Sequence, residues 1–259
     1  MKTGFTILEH QHQNLETIMK RISAGTVVLV AAISGAHAQS AGQWVVNAGW
    51  SHFAPQGSAD PLTVNALGQS QVMTGSGGEI ASGDTFGLTA TYFLTDHIAA
   101  TTVMGFPPTW HLNGAGTLSG FGELGTARAW SPAIIFNYYF GQPNARFRPY
   151  LGAGVTYTWF SNIKLSNPVS TGQIYFSPTV GTALEGPTSV SLSNSFAPVV
   201  NGGLTYNIDS HWSINASVAY SWVSTRATLT TRSSVGTVTS TSKFRVNPIV
   251  TFLSVGYRF

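Results

Sequence analysis

The feature that most constrains this chain is its last eleven residues, Ile249-Val250-Thr251-Phe252-Leu253-Ser254-Val255-Gly256-Tyr257-Arg258-Phe259. In an extended backbone, Ile249, Thr251, Leu253, Val255, Tyr257 and Phe259 share one face. Val250, Phe252, Ser254, Gly256 and Arg258 share the other, which is the period of a β-strand. The strand stops on an aromatic residue and has a second one two residues earlier on the same face. A barrel in a bacterial outer membrane ends this way, because its final strand closes the sheet and sets an aromatic girdle at the lipid interface.

The N-terminal region predicts the route to that membrane. Met19-Lys20-Arg21 is a charged start, residues 22–36 form an uncharged, mostly apolar run, and Ala36-His37-Ala38 is an A-x-A cleavage site. This is the pattern of a secretory signal peptide. Residues 1–38 are therefore expected to be an N-terminal extension plus signal, with Met19 the start of the signal and cleavage after Ala38. Residues 39–259 are expected to form the barrel. These 221 residues hold nine Lys/Arg against seven Asp/Glu, without a basic cluster. Binding to a nucleic-acid backbone needs several such contacts, so no nucleic acid is expected as a partner. Only 8% of the chain is charged, against about 25% in a soluble domain. Much of the exterior therefore need not face water. No segment after residue 38 has the roughly 18 uninterrupted apolar residues of a transmembrane helix. The chain has no cysteine, which excludes disulfides and thiolate metal sites.

Period-two stretches occur eight times, at residues 43–53, 85–94, 98–106, 126–140, 147–160, 195–208, 211–227 and 244–259. One face of each is apolar with aromatics near its ends. In the seventh, Trp212 and Tyr220/Trp222 bracket Ile214, Ala216 and Val218, while the other face reads Ser213, Asn215, Ser217, Ala219 and Ser221. Apolar outside and small polar inside inverts the soluble pattern. The connections alternate between short (95–97, 141–146, 209–210) and long (54–84, 107–125, 163–194, 228–243). That alternation matches periplasmic turns and external loops. The Ser/Thr-rich run 228–242 is consistent with a β-ribbon above the membrane. The expected fold is all-β: an eight-stranded antiparallel transmembrane β-barrel of the outer membrane.

Three segments resemble the outer-membrane protein W (OmpW) family. The run from Arg148-Pro149-Tyr150 to Thr158-Trp159-Phe160 is similar to that family's RPYxGxGxNYTxF signature. Trp130-Ser131-Pro132 through Tyr138-Tyr139-Phe140 resembles its PPTxxxQYYF strand. Val246-Asn247-Pro248 through Gly256-Tyr257-Arg258-Phe259 resembles its closing NPW…GxGYRF. Phe106-Pro107-Pro108-Thr109-Trp110-His111 is a weaker match to TPFxH. The resemblance implies a narrow barrel with an apolar interior that passes small hydrophobic molecules from outside and releases them sideways through the wall. It also implies alkane-importing relatives.

Strand parity nominates the residues. Phe53, Phe93, Tyr139, Tyr150, Phe160 and Phe252 are expected to line the lumen, with inward glycines such as Gly87, Gly154 and Gly203 leaving room between them. Eight strands enclose space for side chains or one small ligand, not a wide aqueous pore. Pro132, Pro198 and Pro248 lack an N–H for the ladder and are expected to border a lateral opening. Arg148 and Arg258 are expected to close the periplasmic end, with Asp96, Asp209 or the terminal carboxylate as partners. No cofactor, metal site or catalytic residue is expected. A lipid-modifying enzyme would need Ser, His and a carboxylate in reach, and His52 with Ser51, or His111 with Glu123, is the sole grouping on the external side. The expected partners are outer-membrane lipids, small apolar solutes and the barrel-assembly machinery, which would engage the C-terminal strand. The alternative reading is an adhesion, receptor or structural barrel acting through its external loops, which also serve phages and bacteriocins.

Overall fold

The computed structural model describes residues 39–175 and 181–259. The extension and signal expected over 1–38 lie outside the described residues. In chain order the strands are β1 (Trp44–Ala54), β2 (Thr63–Ala66), β3 (Gln69–Val72), β4 (Ser76–Ile80), β5 (Gly83–Phe93), β6 (Ile98–Gly105), β7 (Thr109–Gly116) and β8 (Glu123–Trp130). There follow β9 (Ala133–Tyr139), β10 (Phe147–Leu165), a one-turn helix α1 (Asn167–Ser170), β11 (Thr188–Leu192), β12 (Ser195–Asn207), β13 (Trp212–Ser221), β14 (Ser224–Ser233), β15 (Gly236–Arg245) and β16 (Ile249–Arg258).

Eight of these close a barrel. Going round it, β1, β5, β6, β9, β10, β12, β13 and β16 pair antiparallel with their neighbours, and β16 returns to β1 from Val45↔Arg258 to Ala54↔Ile249. Closure leaves no open edge, which a sheet in hydrocarbon requires. The exposed face carries two aromatic rings of residues. Trp44, Tyr138, Phe140, Phe147, Trp212 and Phe259 lie toward the short turns; Trp50, Phe86, Phe106, Trp130, Phe196 and Trp222 lie toward the long connections. Aliphatic side chains such as Val46, Leu88, Ile134, Leu151, Val200, Ile214 and Leu253 are exposed between them. This is the lipid-facing band of an outer-membrane barrel. The short turns are tightly pinned. At the β12–β13 turn, His211 N and Trp212 N both donate to the Asp209 carboxylate at 2.7 Å, and these bonds hold its pKa below the ordinary aspartate value.

The long connections are not loops. They contain five of the other eight strands, β2, β3, β4, β7 and β11, and most of β14 and β15, while β8 falls mostly in the stretch expected at 126–140. β4, β7 and β8 form a sheet with the upper half of β10, and β11, β14, β15, β2 and β3 form a second one. The bridges Ser58↔Glu79 and Ala59↔Phe244 join them. The ribbon expected over 228–242 is the β14–β15 hairpin. These sheets have their own core of Leu62, Val64, Leu118, Leu124, Val169, Ile174, Tyr175, Leu229 and Val238. Tyr175 donates to or accepts from Ser240 there, and burial raises its pKa above the usual phenol value.

Three strands expected to be continuous are broken at the junction of barrel and upper sheets. The 126–140 strand divides at Ser131-Pro132 into β8 and β9, because Pro132 offers no N–H and the chain changes partner from β7 to β6. The 211–227 strand divides at Trp222-Val223. The 244–259 strand divides at Val246-Asn247-Pro248, where Asn247 adopts a φ of 40°. By contrast β10, expected to end at Phe160, runs on to Leu165.

Candidate functional site

Two cavities lie one above the other inside the molecule, and no residue lines both. The upper one measures about 940 Å³, counting space open to solvent, and lies behind β7, β8 and the top of β10. Its wall is almost wholly apolar, including Leu62, Ile80, Trp110, Leu112, Leu124, Ala127, Phe160, Leu165, Ala227, Leu229 and Phe244. Its two charged neighbours are Lys164 and Asp60, and Asp60 pairs with Arg245. Phe53 stacks on Trp110 with ring centres 5.1 Å apart, and Trp110 meets Phe160 edge-on at 5.3 Å. With Ala129, Ala197, Val223 and Val246 these rings form an apolar cluster at the level of the strand breaks.

The lower cavity, about 650 Å³, lies within the membrane-spanning barrel and is of a different chemistry. Asn47, Asn137, Asn201 and Asn215 line it with Thr89, Thr91 and Thr101. Asn47 Nδ2 donates to Thr89 Oγ1 at 3.0 Å, Asn137 Nδ2 to Thr101 Oγ1 at 2.8 Å and Asn215 Nδ2 to Thr205 Oγ1 at 3.1 Å. The Oδ1 atoms of Asn137 and Asn201 are buried without a hydrogen-bond partner in the described structure. Val103, Ile135, Val250 and Phe252 line the same cavity, so the interior is mixed, and the polar layer corrects the expectation of an apolar one. The sequence signal was present, since each of these asparagines has inward parity.

The six nominated lining residues are not at one level. Phe53 and Phe160 belong to the upper cluster. Tyr139, Tyr150 and Phe252 line the lower cavity. Phe93 is fully buried nearer the short turns, in contact with Tyr139. The inward glycines do not leave free space either. A Cβ at Gly87 would come within 2.7 Å of the Phe252 ring, and one at Gly203 within 2.5 Å of the Tyr150 ring, so these rings already use the room.

Arg148 and Arg258 lie at the short-turn end, 0% and 3% exposed. Their partners differ from those expected. Arg148 donates to the backbone carbonyls of Gln39 at 2.8 Å and Asp96 at 2.6 Å, and stands over the rings of Tyr139 and Phe93. Arg258 donates to Ser210 O at 3.0 Å and Asn207 Oδ1 at 2.8 Å. Among the described residues neither has a carboxylate within ion-pair distance. Backbone carbonyls can sit in this buried floor at a lower desolvation cost than carboxylates.

The nominated prolines lie on three different strand lines. Pro132 O accepts from Tyr157 N, Pro198 O from Trp222 N and Pro248 O from Ser221 N, so their carbonyls stay bonded. The wall between β6/β7 and β9/β8 is nevertheless thinned. Pairing stops at Val103↔Ala133 and resumes at Thr109↔Arg128. Between these pairs the one backbone bond across the wall among the described residues is Ala129 N to Pro108 O, 3.1 Å. Pro107, Pro108 and Pro132 all fall in this seam and supply no donors. The upper cavity, lined by Trp110, Leu112 and Ala127, stands next to it.

Of the two histidine groupings considered for catalysis, the structure forms the one between His111 and Glu123 and not the one between His52 and Ser51. His52 pairs with Asp84 at 2.8 Å and not with Ser51, and His111 pairs with Glu123 at 2.7 Å. A contact between Ser210 and the neighbouring His211 belongs to a turn. No group of three or more potential metal ligands occurs among the described residues.

A closed eight-stranded barrel with a lipid-facing band, twin aromatic girdles and short turns at one end defines a small β-barrel protein of the bacterial outer membrane. The sequence model of the OmpW family matches residues 40–259, and the chain belongs to that family. It is similar to outer membrane protein W of Vibrio cholerae, 30% identical over 244 residues covering 93% of this chain and 100% of that protein. It is similar to outer membrane protein AlkL of Ectopseudomonas oleovorans, 26% identical over 65% of this chain and 63% of that one. Among solved structures it resembles OprG from Pseudomonas aeruginosa, with a TM-score of 0.72 and 26% identity over 86% of this chain and 98% of that one. These relatives are named as outer-membrane proteins, not as enzymes.

Proposed function

We propose that this protein takes small apolar molecules from outside into the upper cavity and releases them sideways into the bilayer. The observation that carries this reading is the stacking of an apolar chamber over a polar lumen floored by two arginines. Burying a CH₂ group is worth about 0.8 kcal/mol. An eight-carbon alkane carried straight on through the amide layer and the arginine floor into water would forfeit about 6 kcal/mol, roughly four powers of ten in equilibrium. Passing sideways into acyl chains forfeits almost nothing. The sideways route wins on this difference, and the seam between Gly105 and Pro132 is where the wall has fewest bonds. Phe106 and Trp130 flank it on the lipid side.

Two measurements test the reading. Ala127→Trp together with Ala227→Trp fills the chamber with rings. Uptake of a labelled medium-length alkane, at matched outer-membrane levels, is expected to fall by roughly tenfold, equivalent to about 1.4 kcal/mol. Uptake equal to that of the unsubstituted protein, across several apolar solutes, would remove the chamber from the pathway. The seam is tested separately. The chain has no cysteine, so Phe106→Cys with Trp130→Cys introduces a unique pair for a cleavable thiol–thiol crosslinker. Uptake is expected to stop on crosslinking and return on cleavage, and transport that ignores the crosslink would place the exit elsewhere.

The partners follow from the same surfaces. The lipid-facing band meets outer-membrane lipids, and β16 would be the strand offered to the barrel-assembly machinery. The upper sheets would be the surface available to a phage or bacteriocin.

A further inference from the structure

Gln39 is buried at the floor of the barrel, 1% exposed. Its backbone carbonyl accepts from Arg148 Nη1 at 2.8 Å, and its side-chain Oε1 accepts from the same nitrogen at 3.3 Å. Its Nε2 donates to Asn207 Oδ1 at 3.2 Å, an oxygen that also accepts from Arg258 Nη2 at 2.8 Å. The residues that follow are pinned too. Ala41 N donates to Asp96 Oδ1 at 3.0 Å and Gly42 N to Phe93 O at 2.8 Å. The Asp96 carboxylate is thus engaged by the chain entering β1, and that of Asp209 by its own turn. Gln39 therefore sits against two buried guanidinium groups with no carboxylate in ion-pair distance of either among the described residues.

Cleavage after Ala38, the site expected from Ala36-His37-Ala38, would turn the Gln39 nitrogen into an α-amine. As an ammonium it would lie three bonds from the carbonyl oxygen that Arg148 holds at 2.8 Å, a further positive charge beside a guanidinium, and like charges this close disfavour each other. We propose that Gln39 is the mature N-terminus and that it is converted to pyroglutamate before the floor closes. The neutral α-amine attacks Cδ of its own side-chain amide. The N–Cδ bond forms and the Cδ–Nε2 bond breaks. Nε2 leaves as ammonia with its two hydrogens and one from the amine. The ring nitrogen keeps one hydrogen, and the step involves no oxidant, reductant or co-reactant. Both acceptors that Arg148 uses survive, since the backbone carbonyl is untouched and Cδ=Oε1 becomes the lactam carbonyl. The group that is lost, Nε2, makes the longest bond to Asn207 Oδ1, an acceptor Arg258 still supplies. Cyclisation thus removes the charge at the cost of one hydrogen bond, from Gln39 Nε2 to Asn207 Oδ1.

The proposal rests on cleavage after Ala38, and its test separates the two. Outer membranes from cells making the full chain are dissolved in denaturant at harvest and treated at once with an amine-reactive label. The protein is then digested and its N-terminal peptide weighed. The expected peptide begins at residue 39, carries no label and is lighter by one ammonia than its encoded sequence. A labelled terminus at Gln39 would leave the cleavage standing and overturn the cyclisation. A terminus at any other residue would overturn both. The variant Gln39→Asn keeps an amide but would need a four-membered ring to cyclise. It is expected to carry the label and to lose its folded, heat-modifiable gel band at a lower temperature than the unsubstituted protein. An unchanged transition temperature would overturn the claim that the floor requires an uncharged terminus.

Discussion

Arg148→Met is expected to cost the folded barrel about 3–5 kcal/mol at its short-turn end. The methionine fills much of the volume but donates nothing. The carbonyls of Gln39 and Asp96, now served at 2.8 and 2.6 Å, would lose their donor, at about 1–3 kcal/mol each. Loss of the cation over the Tyr139 and Phe93 rings, 5.2 and 5.8 Å from their centres, adds about 0.5–2 kcal/mol. Arg148→Lys should fall between the two, because an ammonium cannot fork toward both carbonyls. Urea titration of the heat-modifiable band in lipid vesicles reads the effect. A loss under about 1 kcal/mol for the methionine variant would mean that water replaces the guanidinium without penalty and that the floor is wet.

The second large effect is expected at Gly154. A Cβ there would lie 2.0 Å from Ile134 O and 2.6 Å from Ile135 Cα, both backbone atoms of the paired strand β9. Gly154→Val cannot be relieved by turning a side chain. It must part β9 from β10 in the membrane, where unsatisfied backbone groups have no water. We expect at least a tenfold fall in folded protein recovered from outer membranes. Gly87→Val is the comparison, since its nearest neighbour is the movable Phe252 ring at 2.7 Å. It should cost closer to the 1–3 kcal/mol of ordinary overpacking. Equal yields from the two variants would show that β9 and β10 can separate cheaply. Gly154 is therefore a poor position for blocking a pathway, because its substitution acts on the sheet first.

The barrel was readable because each membrane strand obeys one simple rule. Lipid outside forces Trp44, Val46 and Trp50, or Ile214, Val218 and Trp222, onto alternate positions, and a period of two survives without any knowledge of neighbours. The upper sheets follow no such rule. Gln69–Val72 is short and exposed at every position, and Thr188–Leu192 is short, mostly polar and paired with the distant β14, so neither leaves much periodic trace. They read as loops for that reason. The proline breaks were visible as prolines, but whether a proline ends a strand or opens a wall depends on which neighbour it loses. Pro132 falls in the thinned seam, whereas Pro198 and Pro248 stand beside bonds that continue. The polar lumen was legible on β13, where Ser213, Asn215 and Ser217 have inward parity, whereas the family resemblance implied an apolar interior throughout. Asn47, Asn137, Asn201 and Asn215 have the same inward parity as Tyr139 and Tyr150, and they share one cavity with Val103, Ile135 and Phe252.

The nineteen-residue β10 belongs at once to the barrel, through β9 and β12, and to the upper sheets, through β8. A shared strand leaves no hinge between these two parts. The chamber's back wall is thereby fixed in height and rotation relative to the seam, as a mast is fixed by the keel it is stepped into. The other membrane strands that lead upward do so through breaks at which a change in length can be absorbed. In β10, an inserted or deleted residue below Ser161 would turn the side chains above it to the opposite face as far as the register shift between Ser161 and Lys164. Length variation can accumulate in the connections around the chamber and at the register shift between Ser161 and Lys164, but β10 below Ser161 tolerates changes of residue and not of count.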